Sequence, residues 1–241
     1  LTLGLVEPQS SGIGGGTFIT YYDNIKKKVF FYDGREKAPQ NIDQNIFLNN
    51  DGSQKKFYDA AVGGQSVGVP GTLAAIFKFH SEYGILKWED VIKPVINLAD
   101  KGFYAPVRLL NALKKDRFLF DVNKDLLFSS VANNPQKKIF NYEYSKTLRK
   151  ISKNHKIFYE GSIAREIIKK VSDYEKNNSL SESDLKNYSA MKKDALCIRL
   201  PNKIKICGPN LPSSGTICIA QVLKIIDYIK KNKEIELSDI L

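Results

Sequence analysis

Two glycine-rich segments constrain this chain more than any other feature. Gly12-Ile13-Gly14-Gly15-Gly16 runs straight into Thr17 to Tyr22, whose β-branched and aromatic residues read as a strand. Gly63-Gly64-Gln65-Ser66-Val67-Gly68-Val69-Pro70-Gly71 then closes the β-patterned first third of the sequence. Glycine runs of this kind suit places where bare backbone must approach another segment closely, here beside a buried strand. The first run nearly spells a dinucleotide fingerprint but fails as one. Thr17 stands where the last glycine is required, and a strand follows instead of the helix whose N-terminus would hold pyrophosphate. No Gly-Lys-Ser/Thr exists for a phosphate loop either.

Around these segments the pattern is mixed α and β. Thr17 to Tyr22 and Lys28 to Tyr32 flank a polar Asp23-Asn24 turn and predict a hairpin, while Gln40 to Gln54 reads as loop. Thr72 is placed to cap a helix carrying Leu73, Ile76, Phe77 and Tyr83 on one face. A second helix is predicted from Trp88 to Lys101, stopped by Gly102, with Val91, Ile92, Val95, Ile96 and Ala99 inward. Pro94 should kink it or fall in its first turn. Further helices are expected near Val107 to Lys115, Tyr144 to Lys153 and Ser162 to Glu175, then an acidic turn at Ser181 to Leu185. Strands near Ala195 to Leu200 and Lys203 to Cys207 precede a helix from Thr216 to Lys231. Leu1 to Val6 reads as a strand already under way in a longer parent protein. The order suits an α+β or layered α/β fold more than repeated βαβ units; α+β is the expectation, in three parts: a β-rich 1–70, a mainly helical 71–190, and a 191–241 hairpin plus helix returning to the core.

Charge excludes little by itself. Thirty-seven Lys+Arg against 26 Asp+Glu leave +11 over 241 residues, a field that attracts anions. The cations are mostly Lys in short runs on patterned elements, with no aromatic-basic recognition module, so they read as solvated faces and not as a nucleic-acid site. The best apolar stretch, Ile217 to Ile229, is interrupted by Gln221, Lys224 and Asp227, which argues against a membrane span. Cys197, Cys207 and Cys218 lack metal spacing, and His80 and His155 accompany no ligand cluster, so no metal site is expected. A three-residue loop at Pro201-Asn202-Lys203 would set Cys197 opposite Cys207. Cross-strand bonds are geometrically demanding, and two adjacent thiols are expected.

Two local patterns point to chemistry. Gly64-Gln65-Ser66-Val67-Gly68 matches a serine-hydrolase elbow in form, but Val69-Pro70-Gly71 delays the helix that must follow the nucleophile. Asp33-Gly34-Arg35-Glu36-Lys37-Ala38-Pro39 places an Arg just past a strand end beside a flexible Gly. There its planar fork can meet a carboxylate, or it can pair with Asp33 or Glu36 on the surface.

Taken in order, Glu7-Pro8-Gln9-Ser10-Ser11-Gly12-Ile13-Gly14-Gly15-Gly16, Asp33-Gly34-Arg35-Glu36 with Ala38-Pro39, and Gly64 to Thr72 resemble the large-subunit motifs of gamma-glutamyltransferases. Asp184-Leu185-Lys186-Asn187-Tyr188 and Pro212-Ser213-Ser214-Gly215 extend the resemblance to nearly the whole chain. It implies an N-terminal nucleophile hydrolase fold, a layered αββα sandwich of which this chain is the incomplete large-subunit part. It also implies a precursor that cuts itself before a threonine, which then takes up a γ-glutamyl group with its own α-amino group as base. The acyl group passes to water, an amino acid or a peptide. By resemblance Arg35 holds the glutamyl α-carboxylate, and no catalytic residue, metal or cofactor belongs to this chain. The partners implied are a small-subunit half carrying the threonine and a γ-glutamyl substrate such as glutathione, in a periplasmic or extracellular setting. The chain departs from the family pattern in several places. As read from the sequence, the Thr-Thr-His-x-Ser type segment and the helix expected before Glu7 are missing, Thr216 stands where glycine is usual, and Leu127 to Tyr144 looks shortened. Alone it is expected to be inactive. The rival readings are a related acylase or amidohydrolase of the same fold, a serine hydrolase using Ser66, and a non-catalytic remnant.

Overall fold

The computed structural model describes residues 1–115, 127–174 and 180–232. The expected helix end at Glu175 and the chain beyond 232 lie outside them. The first described element is a short helix, α1 (Thr2–Val6), where a strand was expected, so a helical turn does stand directly before Glu7. Tertiary contact decides this: the Tyr144 hydroxyl donates to the Leu1 carbonyl at 3.1 Å, and Leu5 is buried in the core.

The predicted hairpin forms as β1 (Thr17–Asp23) and β2 (Lys28–Gly34), paired from Thr17↔Gly34 to Asp23↔Lys28. Asp23 closes the turn by accepting the Ile25 and Lys26 amides at 3.1 and 3.0 Å. Helix α2 (Phe57–Ala61) and a 3-10 turn at Gly64–Ser66 follow the predicted loop. Helix α3 (Thr72–Tyr83) then lies across the hairpin, with Phe79 against Tyr21 and Tyr32. Thr72 is its first helical residue and not its cap. Its buried Oγ1 has no hydrogen-bond partner among the described residues.

The helical middle begins with α4 (Trp88–Lys101), which keeps Pro94 inside it; β3 (Phe103–Tyr104) and α5 (Val107–Lys115) follow. Helix α6 (Ser129–Asn133) leads to β4 (Lys138–Ile139), which pairs with β3. Then come α7 (Tyr142–Lys153), α8 (Ile157–Glu160), α9 (Ser162–Tyr174) and α10 (Glu182–Lys186). Ile92, Val95, Ile96 and Ala99 of α4 are buried as expected, packed with Leu148 and Ile151 of α7 in the main core. Val91 is not: it is 41% exposed. The expected acidic turn is the start of α10, where Ser181 and Asp184 cap each other's backbone N–H groups.

A strand that the sequence reading did not foresee, β5 (Met191–Asp194), pairs antiparallel with β2 and makes the sheet order β1-β2-β5. Its two lysines join it to the fold. Lys192 Nζ lies over the rings of Phe30, Tyr32 and Tyr83 and pairs with Glu82, which also accepts from Tyr32 Oη at 2.8 Å. Lys193 Nζ lies 2.7 Å from the buried Asp33 carboxylate.

A separate hairpin follows, β6 (Leu196–Arg199) with β7 (Lys205–Gly208), and then α11 (Gly215–Asn232), the last described element. Cys197 faces Cys207 in the expected register, but the two are joined in a disulfide and are not free thiols. The Leu200 amide donates to the Ile204 carbonyl, so positions alternate and 197/207 falls at a pair without ladder hydrogen bonds. Such pairs bring strands closest; here the Cα atoms are 4.2 Å apart. Helix α11 seats Thr216 on Gly208 and buries Ala220, while Ile219, Val222 and Ile225 stay exposed. Among the described residues no helix is long and apolar enough to cross a membrane. The fold is α+β.

Candidate substrate-binding site

The separated glycine motifs converge on the point where β2 ends. A single acceptor, the Gly15 carbonyl, takes the amides of Gly71 and Thr72 at 2.9 and 3.0 Å, tying the first glycine run to the second. Gly34 and Gly71 meet so closely that a Cβ on Gly71 would sit 2.2 Å from the Gly34 carbonyl oxygen. A Cβ on Gly34 would lie 2.5 Å from Ala75 Cβ. Contact, not turn geometry, requires glycine at both places. Three residues past Gly34 and two before Gly71 the backbones pair again, Lys37 and Val69 exchanging both amide–carbonyl bonds at 3.2 and 2.8 Å.

Arg35 lies between these two paired stretches, outside the sheet ladder. Side chains hold its backbone instead. The Asp33 carboxylate accepts its amide at 3.1 Å, and the Tyr188 hydroxyl donates to its carbonyl oxygen at 2.7 Å. Its guanidinium projects from this fixed base with 62% of the side chain exposed. Its only acidic neighbour within 4.0 Å among the described residues is Glu36, with Nε 3.6 Å from Oε2. Glu36 in turn lies across the first glycine run, where a Cβ on Gly16 would meet its Oε2 at 2.3 Å. The other donors of the fork are free to meet a carboxylate.

Tyr188 belongs to the Asp184-Leu185-Lys186-Asn187-Tyr188 segment. Asp184 anchors that segment by accepting the Gln40 amide at 2.9 Å. The Tyr188 ring is stacked on Tyr159, with centroids 6.0 Å apart. Burial, aided by Asp33 and Glu36, pushes the Tyr188 hydroxyl up to about 12, so it remains a donor at neutral pH. Tyr159, buried on α8, donates to the Pro70 carbonyl at 3.0 Å and accepts the Ala74 amide at 3.1 Å. Sequence reading gave Tyr159 no role; no local pattern announces a hydroxyl that bridges segments far apart in the chain. A cleft of about 150 Å³, lined by Lys37, Gln40, Val69, Asp184, Asn187 and Tyr188, opens beside this cluster. A larger hollow, about 530 Å³, is lined by residues of the polar loop between Asp43 and Gln65, and Arg35 is not among them.

Ser66 is not a hydrolase elbow. It sits in the 3-10 turn, the element directly before that turn is helix α2 and not a strand, and α3 begins only at Thr72. Its hydroxyl donates to the Ala61 and Gly63 carbonyls at 2.8 and 3.2 Å. His155 is stacked on Phe77, and His80 Nε2 meets the Leu86 carbonyl. Among the described residues no group of His, Cys, Asp or Glu is arranged to hold a metal.

The profile of the gamma-glutamyltranspeptidase family matches residues 1–239. The chain is 32% identical to the glutathione hydrolase proenzyme of Bacillus subtilis, covering 94% of this chain and 39% of that protein. It is 32% identical to Scoloptoxin SSD14 of Scolopendra dehaani, covering 97% of this chain and 40% of that one. It thus spans about 40% of the length of the curated relatives it matches. In three dimensions it superposes on the gamma-glutamyltranspeptidase of Pseudomonas nitroreducens, solved with L-DON, with a TM-score of 0.86 at 29% identity. That match covers 98% of this chain and 69% of the solved one. The motifs that meet at Arg35 and the architecture that carries them agree with these likenesses, and the chain belongs to the gamma-glutamyltranspeptidase family.

Proposed function

We propose that this chain is the large-subunit part of an enzyme that transfers a γ-glutamyl group from glutathione-like donors to water, amino acids or peptides. In this reading Arg35 receives the donor's α-carboxylate in its bidentate fork. The companion small subunit supplies an N-terminal threonine. Its hydroxyl oxygen attacks the γ-carbonyl carbon, and its proton passes through the threonine's free α-amino group to the departing amine as the amide C–N bond breaks. The ester so formed is then opened by water or by an acceptor amine. The observation that carries the reading is the exposed Arg35 guanidinium on a backbone fixed at both its amide and its carbonyl. The exposed row Ile219, Val222 and Ile225 on α11 supports the need for a companion subunit. The chain without that subunit should hydrolyse no γ-glutamyl substrate.

Replacing Arg35 in the assembled enzyme tests the site. Arg35→Lys keeps the charge and loses the fork. Loss of a charge-assisted contact of about 1.5–3 kcal/mol raises KM for a γ-glutamyl anilide roughly ten- to hundred-fold. Unchanged kinetics would sink the assignment. A donor lacking the α-carboxylate separates this reading from an acylase of the same fold, which would turn over both donors equally well.

A further inference from the structure

We propose that Tyr188 is a positioning residue for donor binding: its hydroxyl fixes the backbone from which Arg35 reaches the substrate. The proposal rests on the reading that Arg35 binds the donor α-carboxylate.

Strand β2 ends at Gly34, and pairing resumes only with Lys37↔Val69. Across the gap the orientation of the Arg35 peptide depends on two side chains, Asp33 at the amide and Tyr188 at the carbonyl. The first contact is local, two residues away, and moves with the strand. The second comes from the far side of the chain, 153 positions on, and is the one that ties Arg35 to the helical region.

The donor itself is held from three sides. Its ring is stacked on Tyr159, Lys37 Nζ lies over it at 5.2 Å, and Gly71 leaves room for the hydroxyl, 2.1 Å from where a Cβ would stand. Tyr159 is fixed in its turn by Pro70 and Ala74 at the head of α3. A chain of contacts therefore runs from α3 through two stacked tyrosines to the carbonyl of a residue whose own long side chain is exposed. Pre-organising the root of a flexible side chain reduces what must be ordered when a ligand binds, so the effect belongs to affinity and not to the chemical step.

The test uses the assembled enzyme with Tyr188→Phe, Arg35→Ala and the double variant. Phenylalanine keeps the ring and removes only the hydroxyl. KM for a γ-glutamyl anilide should rise about three- to ten-fold in Tyr188→Phe, with kcat changed by less than about two-fold. The increase should vanish for a donor without the α-carboxylate and should add nothing in the Arg35→Ala background. An equal KM effect on both donors, full additivity with Arg35→Ala, or a fall in kcat at constant KM would each overturn the proposal. So would a Tyr188→Phe protein that cannot fold, since the hydroxyl would then be structural. If Arg35→Ala leaves KM unmoved, the reading of Arg35 itself has failed and the proposal falls with it. If Arg35→Ala raises KM and Tyr188→Phe does not, only the proposal is lost.

Discussion

The junction around Gly34 and Gly71 and the C-terminal hairpin with α11 are both built from family motifs, yet they are held by different means. At the junction, four segments far apart in sequence fill each other's space and satisfy each other's backbone. Gly15 accepts from Gly71 and Thr72, Asp33 pairs with Lys193, and Tyr188 reaches Arg35. The C-terminal unit is a two-stranded ribbon, marginal by itself, closed by a covalent bond and seated through Thr216 on Gly208. Its helix leaves apolar side chains in solvent. Inside one chain, then, one region is complete and the other is finished by a covalent bond and an open surface.

The sharpest way to break this comparison is to add one methyl group to each region in the assembled protein. Gly71→Ala drives a Cβ to within 2.1 Å of Tyr188 Oη and 2.2 Å of the Gly34 carbonyl oxygen, and backbone cannot step aside. It should cost about 3 kcal/mol or more, read as a lower urea midpoint or a loss of soluble protein. In Gly208→Ala the Cβ meets the end of a single side chain, Thr216 Oγ1 at 2.4 Å, and about 1 kcal/mol is expected. Equal costs would erase the distinction.

A smaller effect sharpens it. Replacing Cys197 and Cys207 together by Ser opens a loop of ten residues and should remove roughly 2–3 kcal/mol from the hairpin. Hydrogen exchange should quicken at β6 and β7 while β1 and β2 stay protected. Simultaneous loosening of β1 and β2 would show that the two regions unfold as one.

The smallest expected effect concerns acid. Burial alone would raise the Glu82 carboxyl, but hydrogen bonds from Lys192 and Tyr32 outweigh it and hold the group below its usual range. A carboxylate depressed in the folded state contributes stability above the ordinary glutamate value, about 4.3, and loses it as pH falls through its lower folded value. Glu82→Gln should therefore flatten the stability profile below about pH 5, by less than about 1 kcal/mol for so exposed a pair. An unchanged acid limb would remove Glu82 from the account of how β5 is held.

How legible each region was follows from the range of its contacts. The β1–β2 hairpin and α4 were readable because alternation, Asp23 and Gly102 are local signals. The 197/207 register was readable from a three-residue loop. The bond was not, because its formation depends on which opposed pairs lack ladder hydrogen bonds. Strand β5 was hidden because Met191-Lys192-Lys193-Asp194 looks solvated in isolation; its lysines find an aromatic cage and a buried carboxylate only in the fold. Of the candidate site, Arg35 and the glycine motifs were singled out from sequence. The hydroxyls of Tyr159 and Tyr188 were not, since their partners lie in segments that only folding brings together.

The head of α3 carries a consequence for how the protein is made. Its first amides are capped from elsewhere: Thr72 N by the Gly15 carbonyl and Ala74 N by the Tyr159 hydroxyl, 85 positions downstream. Thr72 supplies no cap of its own. A helix whose first amides are capped from a distance gains those caps only as the long loops close, and non-local closure is slow relative to local structure. In a chain made from its N-terminus, the second of these caps can form only after Tyr159 has been added. Non-local closure of this kind predicts that the head of α3 becomes protected after the β1–β2 hairpin during refolding, which pulsed hydrogen exchange would check.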